Sequence, residues 1–407
     1  MSNLEIVLPK LEPWQKDVFE AMLDSRGSGK RYIIKARRQC GKSVLAIVLL
    51  IKFSLEEKCI NVCVEPTQAQ SRRVFKQIVD CLQGSGVIKS ANATLLTIEF
   101  INGSEILFKS QEQRDALRGF TVSGLLVIDE GAFITTDIYN ILYPCCDANN
   151  APILIISTPL FRSGEFYNLY SSSNDMVESF DWSTYDTSKY LSNEKLEYYR
   201  QTVTPLKFQS EYLGQFITEG SYIFGDIGSC VKYINKINSL PPKYGGIDWA
   251  SGNGGDFTVL TLMDIEGRLV DIVAFKNMDP VTQVEKLAEV INGYSLDCLQ
   301  VEMNSIGRIY YDQLRRKVKC HISQFNTTND SKRKIIEQLV TAFQKQTITI
   351  PNDEELIKEL QHYAMEKTSK GYTYNGADGV NDDYVMSLAL CWDAYNKKKG
   401  NSTLSFV

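Results

Sequence analysis

Apolar residues cluster along the first half of the chain in short, nearly unbroken runs: Tyr32-Ile33-Ile34, Ile60 to Val64, Leu125 to Ile128 and Ile153 to Ile156. Runs of this length without polar alternation predict strands buried on both faces, as in a parallel sheet covered by helices. Between them the pattern is helical, from about Leu11 to Leu23 with Pro13 in the first turn, from Val44 to Leu50, and from about Thr67 to Leu82. Leu95 to Phe100 and Glu105 to Phe108 flank Asn102-Gly103, a pair suited to a tight hairpin turn. Alternating strands and helices predict an α/β domain with a mostly parallel sheet.

The pattern changes after Trp182, where Tyr, Ser and Thr accumulate and helical patches such as Ser192 to Arg200 appear. Phe208 to Phe216 (FQSEYLGQF) leads to Gly220 and Gly225, and Pro241-Pro242 marks the start of a new fold. Tyr244 to Asp248, Phe257 to Met263 and Arg268 to Phe275 predict three strands, the last two joined at Glu266-Gly267. A helix from Val281 to Ile291 and a strand from Cys298 to Glu302 follow. Further helices are expected over Ile306–Val318, Ser331–Phe343, Glu354–Ala364 and Asp383–Tyr395. Three antiparallel strands and then alternating helix and strand is the order of a ribonuclease-H-like α/β domain. The expected division is therefore residues 1–218, with a linker subdomain from about 180, and residues 219–407.

Length supports this division, because 407 residues exceed what one core organises. Apolar content of 43% and charged content of 23% are those of a globular chain. No apolar run approaches a bilayer span, and the N-terminal residues lack the pattern of a signal peptide. Ten scattered cysteines without a C-x-x-C pair predict reduced thiols and no structural zinc site. Two histidines, His321 and His362, make a histidine-based catalytic network a poor expectation. A net charge of −5 requires any nucleic-acid contact to be local. Arg315-Arg316-Lys317, Lys332-Arg333-Lys334 and Lys397-Lys398-Lys399 are the candidate patches, with a merely solvated surface as the competing reading.

The chemistry concentrates at the ends of the apolar runs. Ala36-Arg37-Arg38-Gln39-Cys40-Gly41-Lys42-Ser43 joins a strand to a helix in the layout of a phosphate-binding loop, with Ala36 where a glycine is usual. In such a loop amides and the helix N-terminus meet phosphates, Lys42 reaches the outer phosphates and Ser43 ligates Mg²⁺. Asp129 and Glu130 close the third buried strand, where a metal-holding carboxylate and a water-polarising carboxylate are needed. Ser157-Thr158-Pro159 ends the fourth, either as a γ-phosphate sensor or as a plain polar turn. Gln15 offers an amide that can pair with adenine, or is a surface residue beside Trp14. In the second half Asp248, Glu302 and Asp382-Asp383 close strands one and four and open the last helix. Convergent carboxylates call for cations, and two Mg²⁺ or Mn²⁺ ions there would serve phosphodiester cleavage. Taken singly, Asp383 is equally a helix cap and Glu302 a strand-end charge; Asp256 is a weaker fourth candidate.

Together these residues resemble the large subunit of tailed-bacteriophage terminases over nearly the whole chain, from Trp14-Gln15 to the helix after Asp383. The resemblance implies an ATPase motor joined to a metal-dependent endonuclease, moving double-stranded DNA into a procapsid and cutting concatemers. It implies that Gln15, the loop residues Arg37 to Ser43 and Asp129 bind ATP and Mg²⁺, that Glu130 is catalytic and that Ser157-Thr158-Pro159 couples hydrolysis to motion. Asp248, Glu302 and Asp383, with Asp382 as the competing third ligand, would hold nuclease metals. An arginine finger falls to Arg37, Arg38 or Arg118, with Arg118 before Gly119 placed to act on a neighbouring subunit. The implied partners are DNA, a small terminase subunit and the portal, in a ring when docked and as a monomer when free, in the host cytoplasm and without a membrane. Asn381 stands where the family often has histidine. The rival readings are a helicase-nuclease of DNA repair and an ATP-binding scaffold without turnover.

Overall fold

The computed structural model describes residue 6 and residues 8–185, 187, 190–234, 239–250, 256–303, 307–368, 371–377 and 379–402, the side chains of 398–402 excepted. The chain divides into two compact units, one of Met1–Tyr198, Leu206–Glu219 and Lys367–Gly371, the other of Tyr199–Pro205, Gly220–Glu366 and Tyr372–Val407.

The first unit runs α1 (Pro13–Leu23), β1 (Arg31–Lys35), α2 (Lys42–Glu56), β2 (Ile60–Glu65), α3 (Gln68–Cys81), β3 (Ile88–Asn92), β4 (Thr97–Phe100), β5 (Glu105–Ser110), β6 (Leu126–Asp129), α4 (Thr136–Asp147), β7 (Ile153–Ser157), α5 (Glu165–Tyr170) and β8 (Val177–Asp181). α6 (Asn193–Thr202) and the single turn α7 (Pro205–Lys207) lead to a π-helical turn over Phe208–Tyr212. Eight strands form one sheet in the order β3-β4-β5-β2-β6-β7-β1-β8. The six strands from β5 to β8 in that order pair in parallel, while β3, β4 and β5 pair antiparallel. Successive residues of each central strand face opposite cores. Ile34, Val127, Leu154 and Ile156 join Leu49 and Phe53 of α2, whereas Ile33, Leu126, Ile128 and Ile155 join Tyr139 and Leu142 of α4. Both faces are dry, which is why these strands show no polar alternation. The edge strands β3 and β8 are largely exposed and carry no apolar run, so the sequence pattern does not reveal them.

The second unit runs β9 (Tyr244–Asp248), β10 (Thr258–Met263), β11 (Leu269–Phe275), α8 (Pro280–Asn292), β12 (Cys298–Glu302), α9 (Gly307–Arg315), β13 (Ile322–Phe325), α10 (Asn329–Gln344), α11 (Glu354–Gln361), β14 (Tyr363–Thr368), β15 (Gly371–Gly376) and α12 (Asp383–Ser402). Its five-stranded sheet has the order β11-β10-β9-β12-β13. β9, β10 and β11 pair antiparallel, and β12 pairs in parallel with β9 and β13. The helix expected from Glu354 stops at Gln361, and Ala364 belongs to β14. Ile306, where α9 is expected to start, lies outside the described residues.

α12 is buried from Asp383 to Tyr395, all round its circumference. It can lie directly on β9 because Gly246 has no side chain: a Cβ there would come within 2.2 Å of the Ser387 carbonyl oxygen and 2.4 Å of the Cys391 nitrogen. Ser387 Oγ donates to Gly246 O at 2.9 Å, locking helix to strand. Gly246→Ala is accordingly expected to destabilise this unit by about 3 kcal/mol, the upper range for overpacking a close contact, measured by denaturant unfolding.

Candidate functional sites

In the first unit the sheet order places β7 between β6 and β1, so three strand ends share one edge beside the loop after β1. The loop turns into α2 at Gly41, whose φ of 76° lies in the left-handed region. A Cβ at Gly41 would also stand 2.4 Å from Gln15 Nε2. Gln15 Nε2 donates to Gly41 O at 2.8 Å, and Trp14 Nε1 donates to Cys40 O at 3.2 Å. Gln15 Oε1 accepts from the Glu12 amide at 2.7 Å and the residue is 2% exposed. Both ends of the Gln15 amide thus hold partners inside the fold, and the residue is buried, unlike the surface glutamine that was the alternative reading. Gln15→Ala should cost about 1 kcal/mol of stability, since it removes the side-chain hydrogen bonds to the Glu12 amide and the Gly41 carbonyl, and should weaken nucleotide binding through the loosened loop. Unfolding and nucleotide titration of the same variant check both.

Ser43 Oγ donates to Asp129 Oδ2 at 3.0 Å, and the Lys42 ammonium lies 3.3 Å from Glu130 Oε1. Burial first, and then Glu130, raise the Asp129 carboxyl to about 6. Glu130 has φ 50° and ψ 45°, a left-handed turn that swings its side chain from the strand end toward Lys42. Ser157 Oγ and Thr158 Oγ1 face Glu130 Oε2 at 3.4 and 3.5 Å. Pro159 O accepts from the hydroxyl of Ser210 in the π-helical turn. Arg38, Gln39, Cys40, Gly41, Lys42, Ser43, Glu130 and Thr158 line a cavity of about 860 Å³.

The three candidate arginines differ in placement. Arg38 lines this cavity and is held by Glu211, through Nε at 2.9 Å, Nη2 at 2.9 Å and its amide to the Glu211 carbonyl at 2.7 Å. Arg37 donates through Nη2 to Tyr185 O at 2.6 Å. Arg118 is exposed and lines a different cavity with Phe120 and Asn140. Sequence reading passed over Glu65, which closes β2 in parallel register beyond the Val64–Ile128 pair and so lies next to Asp129. It is 2% exposed, and burial, Asp129 and Glu130 push its carboxyl up to about 9. A carboxylate ending an apolar run before Pro66 is the signal that marks it, the same signal as at Asp129.

In the second unit the parallel pairing of β9 with β12, Ile247 opposite Val301, sets Asp248 beside Glu302. Their carboxyls are in hydrogen-bonding contact, and Asp248 is held well above the carboxylate range by burial and then by Glu302. Two carboxyls bond in this way only by sharing a proton, and a divalent cation can take that proton's place, so the pair fits a metal ion. The Thr327 hydroxyl donates to Glu302 Oε1. Asp383 Oδ2 accepts from the Phe257 amide at 2.7 Å and from Asn381 Nδ2 at 3.4 Å; burial, followed by Asp256 and Asp382 among the raising influences, lifts its carboxyl to about 6. Asp382 Oδ2 meets Lys332 Nζ at 2.8 Å and the Tyr363 hydroxyl at 3.3 Å. The expected three-carboxylate convergence is therefore only partly assembled: among the described residues no set of three or more His, Cys, Asp or Glu side chains is gathered to hold a metal. The reason is visible in these partners, since Asp382 and Asp383 are each turned to hydrogen-bond donors of their own.

Each of the three basic clusters has a member engaged in an ion pair. Lys317 pairs with Glu285, Arg333 with Asp330 and Lys397 with Asp393, while the side chains of Lys398 and Lys399 lie outside the described residues. All ten cysteines are free thiols, and among the described residues no helix is long and apolar enough to cross a membrane.

Comparison with known proteins follows the same division. Residues 33–226 match the family model described as terminase large subunit, T4likevirus-type, N-terminal, and residues 245–392 match the terminase RNaseH-like domain. The large terminase subunits of Thermus virus P23-45 and Thermus phage G20c are each 22% identical, with 92% of this chain and 87% of each relative covered. The solved large terminase of a thermophilic bacteriophage superposes with a TM-score of 0.67 at 19% identity, covering 96% of this chain and 99% of that one. The same thermophilic phage protein in complex with ADP gives a TM-score of 0.64 at 17% identity, covering 94% of this chain and 98% of that one. With two adjoining family models spanning most of its length and both sites on the strand ends that those domains require, the chain belongs to the family of phage terminase large subunits.

Proposed function

We propose that this chain hydrolyses ATP in its first unit to translocate double-stranded DNA into a procapsid and cuts concatemeric DNA in its second. Membership of the family makes it a phage DNA-packaging protein with an ATPase and a nuclease domain, one that binds nucleotide and acts on DNA. The residue roles, the domain limits near 218 and the finer partners are the proposal. The observation that carries it is the single cavity in which Lys42, Ser43 and Glu130 meet, with Asp129 directly behind Ser43.

The loop amides and Lys42 would bind the β- and γ-phosphates, and Ser43 and Asp129 would hold Mg²⁺. That ion, when bound, neutralises phosphate charge. Glu130 would accept a hydrogen bond from the attacking water, whose oxygen bonds to the γ-phosphorus as the bond to the bridging oxygen breaks. Ser157 and Thr158 would register the change at Glu130 and pass it through Pro159 to Ser210, while Arg38 and Glu211 tie the loop to the same turn. Arg118, exposed and lining a cavity other than that of the phosphate loop, suits a finger given to a neighbour in a ring. Asp248 and Glu302 would hold Mg²⁺ or Mn²⁺, with Asp382 or Asp383 completing the site; such an ion supplies a nucleophile at neutral pH and charge stabilisation at the scissile phosphate. A small terminase subunit, a portal and the cytoplasm of the infected host complete the setting.

Incubating the full chain with supercoiled plasmid and Mn²⁺, alongside a phosphate-release assay with ATP, tests the proposal. Cutting together with turnover is expected; an inert parent protein in both assays would overturn it. In the phosphate-release assay, Arg118→Ala is expected to lose most of the turnover that appears only at high protein concentration, and mixing it with Lys42→Ala should restore part of it.

A further inference from the structure

We propose that a cavity beside α10 in the second unit takes an unpaired nucleotide of the DNA strand that this unit cuts. The inference rests on the nuclease reading above and names where that strand runs beyond the scissile phosphate.

The cavity holds about 590 Å³ and lies between α10, the first residues after it, α12 and the segment 202–204. Its volume is that of a small-ligand site, roughly 300–1,000 Å³. α10 begins at the nuclease edge, since Lys332 in its first turn reaches Asp382 at 2.8 Å. From there Lys334, Gln338, Thr341 and Lys345 line the cavity at a helical spacing that puts them on one side of the helix. Such a row is about 16 Å long, and it leads away from the carboxylates with a lysine at either end.

The polar groups of this wall are unequally satisfied. Asp330 is taken up by Arg333 at 2.7 Å, and Glu337 accepts from the Tyr372 and Tyr374 hydroxyls. Lys334 and Lys345 are exposed and have no ion-pair partner among the described residues. The Arg333 guanidinium sits 4.5 Å from the centre of the Tyr372 ring, and its Nε is buried without an acceptor. Gln338 Oε1 is buried without a donor. Buried polar atoms left in this state are costly, so a donor and an acceptor on one wall call for a ligand.

The two atoms differ in kind, which narrows the ligand. The excess of cations and the Arg333 N–H select an anion, and a DNA strand passing the nuclease centre supplies phosphates. Gln338 Oε1 only accepts, so the ligand also carries an N–H, which a phosphate lacks. Every base has such a donor on its pairing edge. In a duplex those edges are paired and stacked, and a stacked pair cannot enter a recess. An unpaired base can, with Val203, Ala342 and Trp392 as the apolar part of its surroundings. The cavity therefore suits a strand that has come away from its complement, as at a fresh cut.

Fluorescence anisotropy of labelled probes of about ten nucleotides, with the full chain in chelator to prevent cutting, tests this; the probes are a cytosine strand, the same strand without bases, and a duplex. The parent should bind the cytosine strand about tenfold more tightly than the abasic one. Gln338→Leu should abolish that difference. Lys345→Ala, at an exposed position, should weaken both single strands about threefold, lower the salt slope by about 1 and leave the duplex within about twofold; it decides the matter if Gln338→Leu fails to fold. Equal binding of the two single strands by the parent, unchanged affinities in the folded variants, or an equal loss on the duplex would overturn the proposal. Displacement of the strand by a glutamate-rich peptide, with no preference for bases, would assign the cavity to an acidic protein segment instead. Failure of the nuclease reading alone looks different: the plasmid stays uncut in Mn²⁺ while base-dependent binding persists.

Discussion

Glu130→Gln is expected to bind ATP at least as well as the parent and to hydrolyse it about 10³-fold more slowly. Glutamine keeps the size of the side chain and an oxygen for the Ser157 and Thr158 hydroxyls, and it is as tolerant as glutamate of the left-handed backbone at this position. What disappears is the charge that faces Lys42 at 3.3 Å and would polarise the water. Freed from that carboxylate, Lys42 is more available to phosphate, so affinity should hold or rise. Phosphate release and titration with a slowly hydrolysed nucleotide measure the two quantities. Turnover near the parent's would remove Glu130 from the chemistry, and loss of binding would make it a structural residue of the loop.

Asp248→Asn should abolish plasmid cutting, by about 10³-fold or more, because an amide cannot share a divalent ion with Glu302 and the metal's charge stabilisation is worth several kcal/mol. The same change is expected to stabilise the metal-free protein. Burial and the neighbouring Glu302 raise the proton affinity of Asp248 in the folded state above its unfolded value. The associated stability is present at low pH and is lost as pH rises above the ordinary carboxylate range; the asparagine variant carries no such dependence. In chelator, the melting temperature of Asp248→Asn should therefore exceed the parent's by a margin that widens from about pH 5 to about pH 8. A parent that gains stability over that interval relative to the variant would contradict the burial of Asp248 against Glu302.

The two sites were not equally legible. Lys42, Ser43, Asp129 and Glu130 announce themselves because a charged group ending an apolar run has few structural reasons to be there. Gln15 was legible only in part, for a local reason: an amide ahead of the loop suggests adenine, whereas the helix cap at its oxygen and the Gly41 carbonyl at its nitrogen depend on how α1 meets the loop. Lys332 lay hidden inside a basic triplet, where nothing in the spacing distinguishes it from Arg333 and Lys334. Glu354 to Ala364 read as one helix because Leu356, Leu360 and Ala364 keep a helical period, although the last of them packs from a strand.

The sequence by itself determined the strand and helix alternation, the place where one fold gives way to another and the carboxylates that close the buried strands, since burial on both faces and metal or phosphate chemistry each select residue types locally. Only the tertiary structure decided that β7 lies between β6 and β1, that Glu65 stands beside Asp129 and that Lys332 meets Asp382 fifty positions away. Strand order and helix packing are set by the summed fit of whole faces, and no short window of sequence carries that sum.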